Sequence, residues 1–181
     1  MSIKGSRRKL AAWIWTMLAA GWIMLVFFFS SQPYKDQNIQ PLLRRLLKGH
    51  DFKRYLPDIS FTYGNKLIIV KQMPYTFLEF VFRKSAHLFI YAMLAAIVFI
   101  LVRALNRRRI GIACAAALLA TGIVAAADEW NQLQQIHRSG SLIDIGLDLI
   151  GGLLGLLAVL ALLGMRAIWR SYKRKRNARI K

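Results

Sequence analysis

Apolar residues in this chain fall in long unbroken blocks rather than in stripes. Leu10 to Phe29 is a run of 20 residues without a charge, Ser85 to Val102 and Ile110 to Ala127 are 18 each, and Leu149 to Met165 is 17. Crossing the roughly 30 Å of hydrocarbon in a bilayer takes about 20 such residues in a helix. The blocks are too long and too evenly apolar to be core helices of so short a chain. Only a helix or a closed barrel satisfies every backbone group in lipid. With their flanks, the blocks predict spans at about 10–30, 77–102, 110–130 and 143–166. The expected fold class is therefore all-α, a four-transmembrane-helix integral membrane bundle forming a single membrane domain. Lys4, Arg7, Arg8 and Lys9 precede the first block in the manner of a signal peptide. Its apolar run is longer than a signal core, and no small-x-small cleavage site follows, so it reads as a retained anchor.

The segments between the blocks have their own patterns. All four prolines (Pro33, Pro41, Pro57, Pro74) lie in the 31–76 loop, where helix breaking is tolerated. Ile39, Leu42, Leu43, Leu46 and Leu47 recur at helical spacing opposite Arg44, Arg45 and Lys48. That is a short amphipathic helix, either lying on the leaflet or packed on its neighbours. Phe61 to Val70 is β-prone around Gly64-Asn65, a hairpin signal.

Charge sharpens this picture. The chain is 56% hydrophobic, yet it carries 27 Lys and Arg against 8 Asp and Glu, a net +19. Neither an ordinary soluble enzyme nor a disordered basic tail combines these figures. A nucleic-acid partner is not expected, because the apolar residues are blocked rather than striped. The single cysteine, Cys114, allows no internal disulfide and no cysteine cluster for a metal. Basic residues without any acid occupy the N-terminus, the 103–109 turn and the 167–181 tail. The positive-inside rule then puts both termini and that turn in the cytoplasm, leaving 31–76 and about 128–141 outside. The basic tail either fixes orientation only or also attracts anionic headgroups.

The residues that break the apolar pattern carry the candidate chemistry. Arg83, Lys84, His87 and Tyr91 open the second span, and Lys84, His87 and Tyr91 share one helix face at i, i+3 and i+7. Asp128, Glu129 and Gln132 close the third span. His137, Arg138, Ser139, Gly140 and Ser141 follow. Asp144, Asp148, Gly151 and Gly155 then form one stripe of the fourth span at i, i+4, i+7 and i+11. The topology brings all these groups to one membrane face. Arg83, Lys84 and Arg138 oppose Asp128, Glu129, Asp144 and Asp148, so the cluster comes close to neutralising itself, as charges at such depth require. Ser141 and Asp144 also fit a capping box. Gly151 and Gly155 form G-x-x-x-G, a spacing for close helix packing.

Several uses of such a cluster stay open. It could be structural, tying three helix ends together. It could bind a phosphate or carboxylate through Lys84 and Arg138. It could be catalytic, with His87 and Glu129, or His137 in place of His87, as acid and base. A proton pathway would require an oligomer. A metal site from His87, Asp128, Glu129 and His137 lacks tight ligand spacing, so neither metal nor cofactor is expected.

At these residues the sequence resembles the VanZ-like family of bacterial membrane proteins. The resemblance runs through Phe29-Ser30-Ser31-Gln32, Arg83-Lys84-Ser85-Ala86-His87, Tyr91, Asp128-Glu129, Gln132, Arg138-Ser139-Gly140-Ser141, Asp144, Gly151 and Gly155. Ile90, Gln135-Ile136-His137 and Asp148 depart from the family pattern. The resemblance implies a multi-pass protein of the bacterial cytoplasmic membrane and an association with resistance to teicoplanin-type glycopeptides. The expected function is binding of an anionic lipid, a lipid-linked envelope precursor or a glycopeptide at an outward-facing pocket. Its expected lining is Arg83, Lys84, His87, Tyr91, Asp128, Glu129, Gln132, Arg138 and Asp144. The alternatives are an intramembrane enzyme acting on a lipid through His87 and Glu129, and a structural or interaction protein.

Overall fold

The computed structural model describes residues 3–33, 37–49, 51–63, 66–106, 109–134 and 142–179. In chain order the elements are α1 (Ile3–Ser30), α2 (Gln40–Leu46), a 3-10 turn (Phe52–Tyr55), β1 (Ser60–Tyr63), β2 (Lys66–Ile69), α3 (Pro74–Leu105), α4 (Ile110–Leu133) and α5 (Leu142–Arg179). Four helices are long and apolar enough to cross a membrane: Arg8–Ser30 within α1, Pro74–Leu105, Ile110–Leu133, and Leu142–Asn177 within α5. The bundle is helical as the blocks predict. The β1–β2 hairpin is the only β element among the described residues.

α3 is the central helix and packs against α1, α4 and α5. Its apolar residues surround its whole circumference, as a helix flanked on three sides requires. At its middle, Tyr91 and Leu94 form a core with Val26 of α1 and with Val124 and Ala125 of α4. One step further along, Ala95 and Phe99 pack with Ala113 and Ala117 of α4 and Leu156 of α5. The alanines of α4 let its backbone approach closely, the usual device where both helix surroundings and lipid are apolar. α1 is peripheral. Its Trp22 Nε1 donates to the Ile90 carbonyl at 2.9 Å, while Trp13, Met17, Met24 and Phe28 face outward.

α3 and α5 run parallel, and two glycines set how close they come. A Cβ at Gly151 would lie 2.6 Å from the Leu88 carbonyl oxygen, and one at Gly155 would lie 2.1 Å from that of Ala92. Both obstacles are backbone, so no side-chain movement could make room. The G-x-x-x-G spacing thus serves packing here.

The segment between α1 and α3 is folded onto the start of α3. Pro41 and Pro74 sit in the first turns of α2 and α3, where no backbone N–H is needed for the helix ladder. α2 rests on α3, with Leu43 buried and the Arg44 guanidinium 4.5 Å above the Tyr75 ring. Leu42 and Leu46 stay exposed. The amphipathic helix therefore packs on its neighbour by one leucine and presents two others outward. The hairpin pairs Ser60 with Ile69 and Tyr63 with Lys66; Gly64 and Asn65 lie outside the described residues. Phe61 meets Phe77 and Phe80 at 6.4 and 5.6 Å between ring centroids, which seats the hairpin on the first turns of α3.

Candidate functional site

The parallel register of α3 and α5 pairs residues about 60 apart in sequence, step by step. Lys84 meets Asp144. His87 Nδ1 lies 3.2 Å from Asp148 Oδ1. Below them Leu88 meets Gly151 and Ala92 meets Gly155. The aspartate stripe and the glycine stripe of α5 are one stripe. The glycines bring the backbones together at one depth, and the short aspartate side chains then reach the α3 face one and two turns above.

α4 supplies the deepest rung. Tyr91 OH donates to Asp128 Oδ2 at 3.3 Å, and Gln132 Nε2 donates to the same oxygen at 2.9 Å. The His87 and Tyr91 rings stack at 6.2 Å. Lys84, His87 and Tyr91 therefore make a ladder down one face of α3, each rung closed by a carboxylate. Seven residues of helix put the first and last rungs about 10 Å apart in depth.

Burial is graded along the ladder. The side chains of Lys84 and His87 keep 22% and 34% of their surface exposed. Tyr91 and Asp128 are sealed at 0% and 1%. Asp148 and Glu129 are also buried. The other Asp128 oxygen, Oδ1, is buried without a hydrogen-bond partner among the described residues. A polar group left so in a low-dielectric site is costly.

The hairpin completes the top rung. Tyr63 OH donates to Asp144, the same carboxylate oxygen that Lys84 Nζ reaches. Lys84 Nζ also stands 4.5 Å from the Tyr63 ring centroid and 5.8 Å from that of Phe80, within cation–π range. Burial first, and then the hydrogen bond to Asp144, push the Tyr63 phenol above its ordinary pKa. The phenol is thus held as a neutral donor.

Of the residues expected at the site, Lys84, His87, Tyr91, Asp128, Gln132 and Asp144 are joined in this ladder. Glu129 is buried at the end of α4 beside it. Arg83, one residue from Lys84 and so about 100° around the helix, donates instead to Gln37 Oε1 at 2.7 Å, in the segment after α1. Arg138, like His137, Ser139, Gly140 and Ser141, lies outside the described residues. Among the described residues no group of three His, Cys, Asp or Glu is arranged to hold a metal ion.

Two members stand outside the expected lining. Asp148 is the carboxylate hydrogen-bonded to His87, so the acid–base pairing available to that imidazole runs to α5. Its place on the Asp144 stripe was the signal for it. Tyr63 arrives from the hairpin, and nothing in its neighbourhood of sequence marks it as a partner of Asp144.

A histidine next to a carboxylate can exchange protons, and a half-open lysine can hold an anion. The ladder joins both abilities at one end of an apolar bundle. Neither a curated protein nor a solved structure matches the chain. The VanZ/LLP1 family model matches residues 15–164, which takes in α3 and α4 whole, parts of α1 and α5, and the whole ladder on α3, α4 and α5. The match spans well over half the chain, and the chain belongs to the VanZ/LLP1 family.

Proposed function

We propose that this protein is a cell-envelope membrane protein that binds an anionic lipid or lipid-linked precursor at the mouth of the Lys84–His87–Tyr91 ladder. The observation that carries the reading is the burial gradient. Lys84, its partner Asp144 and His87 are partly exposed at the edge, while Asp148 and the Tyr91–Asp128 pair lie buried below them. A phosphate arriving at headgroup depth would compete with Asp144 for the Lys84 ammonium. The apolar outer faces of the helices would receive the chains. By the positive-inside rule this end faces outward from a bacterial cytoplasmic membrane. There the same mouth could take the lipophilic tail of a teicoplanin-type glycopeptide, the resistance role that the family resemblance implies.

Native mass spectrometry of the protein released from membranes with its lipids tests this. Lys84→Ala should lower occupancy of the lipid bound at the ladder about tenfold, seen as one bound anionic lipid fewer per protein, and leave the melting temperature of the bundle within a few degrees. Unchanged lipid retention in that variant would remove the reading.

A second reading has its own support. Lys84, His87 and Tyr91 each already face a carboxylate, so the ladder can serve as a lock that fixes three helix ends. On that reading Lys84→Ala lowers the melting temperature and leaves lipid retention and glycopeptide tolerance unchanged.

A further inference from the structure

The opposite end of α5 carries a second feature that the ladder does not use. α5 has 38 residues, about 57 Å of helix, against about 30 Å of hydrocarbon. It does not stop at the apolar block. It continues without a break through the basic segment to Arg179.

Two kinds of side chain are sorted on this extension. Met165, Ile168, Trp169 and Tyr172 recur at i, i+3, i+4 and i+7, and all are exposed. Arg170, Lys173, Arg174 and Asn177 recur at i, i+3, i+4 and i+7 beside them. With Trp169 these four lie next to one another on the exposed helix surface. No acid occurs from Arg166 to the end of the chain.

A tail that only fixed orientation would need the cations alone. Trp and Tyr beside an apolar span prefer the headgroup layer, with the ring among acyl carbons and the polar edge toward water. That layer is about 5–7 Å thick on each side. Arg166 and Arg170 stand one turn apart at the end of the apolar run, so they fall at phosphate depth. Lys173 and Arg174 follow a turn later, within a Debye length of the surface.

We infer that the Trp169–Asn177 face of α5 is a binding site for phosphate-bearing anionic lipid in the leaflet at the tail end of the bundle. Trp169 and Tyr172 set the depth, Arg170 meets the headgroup phosphates directly, and the long Lys173 and Arg174 side chains reach back to them from a turn beyond. Three cations within little more than one helical turn exceed what a single monoanionic phosphate needs. The site therefore favours a headgroup with two phosphates over one with a single phosphate. A soluble acidic protein or a nucleic acid would meet the cations but would leave the apolar stripe uncovered.

The test uses the full chain in nanodiscs holding phosphatidylcholine with a minor fraction of phosphatidylglycerol or cardiolipin, followed by native mass spectrometry of retained lipid. The wild type should retain cardiolipin over phosphatidylglycerol, and both over phosphatidylcholine. Arg170→Gln, Lys173→Gln and Arg174→Gln should each lower anionic retention about 5-fold, since each cation near a charged surface contributes about that factor. Trp169→Ala should weaken retention with the charge intact. Because the spectra count bound lipids, Lys84→Ala should remove only the lipid bound at the ladder, and the lipid whose retention depends on Arg170, Lys173 and Arg174 should remain, which separates the two sites. Retention indifferent to headgroup charge, or unchanged in the triple glutamine variant, would overturn the inference. So would release of bound lipid by a soluble polyanion at physiological salt.

Discussion

The two ends of this bundle use charge in opposite ways. At the hairpin end, charged and polar groups enter the helix faces at helical spacing. They meet partners from three other elements: Lys84 with Asp144 and Tyr63, His87 with Asp148, and Tyr91 with Asp128. At the tail end, basic residues follow one another along a single exposed helix with no acid among them. The first arrangement is a tertiary network whose members depend on one another. The second is a local field, nearly additive in its charges. A charge half inside a bundle needs a specific partner to offset its desolvation. A charge in water needs none.

The largest effect expected from this contrast comes from the packing beneath the ladder. Gly155→Leu would drive a side chain into the Ala92 carbonyl of α3. It should destabilise the bundle by about 3 kcal/mol, since backbone cannot step aside. Thermal melting in detergent should show the loss. A variant that melts like the wild type would mean that α3 and α5 are not held at this distance.

Asp144→Ala comes next. It leaves both Lys84 and Tyr63 without their shared acceptor and should cost about 2 kcal/mol. A double-mutant cycle between Lys84 and Asp144 should return a coupling of about 1 kcal/mol. Zero coupling would place the top rung in the same class as the tail charges.

A smaller effect should follow pH. The fold raises the Tyr63 pKa, so it favours the protonated phenol over the phenolate. The stabilisation is complete below pH about 10, the phenol's ordinary value, and is lost as pH rises beyond it. Melting temperature measured from pH 8 to 11 should decline more steeply in the wild type than in Tyr63→Phe. Equal slopes would remove Tyr63 from the network.

The smallest effect belongs to the tail. Lys175→Gln or Arg176→Gln should change bundle stability by less than about 0.5 kcal/mol, because these exposed side chains support no packing. A larger loss would show that the tail is coupled to the fold.

Much of the architecture is legible in the residues. The spans follow from apolar runs long enough for lipid, and the ladder's α3 members follow from the 84, 87, 91 spacing. The stripe 144, 148, 151, 155 announces both the acids and the glycines of α5. What spacing cannot supply is which carboxylate closes which rung. His87 pairs with Asp148 rather than with an acid of α4 because the parallel register of α3 and α5 puts them at the same depth. Arg83 carries the same charge as its neighbour Lys84, yet it donates to Gln37, because one residue turns a side chain by about 100°.

The sequence by itself determined that this chain is a four-span bundle, which end of each helix holds polar groups, and where helices can touch. These are local properties, written in run length, periodicity and residue size. Only the tertiary structure decided the partners, the graded burial, and the arrival of Tyr63 from the hairpin. Those depend on distances between segments far apart in the chain, and no local pattern encodes such a distance.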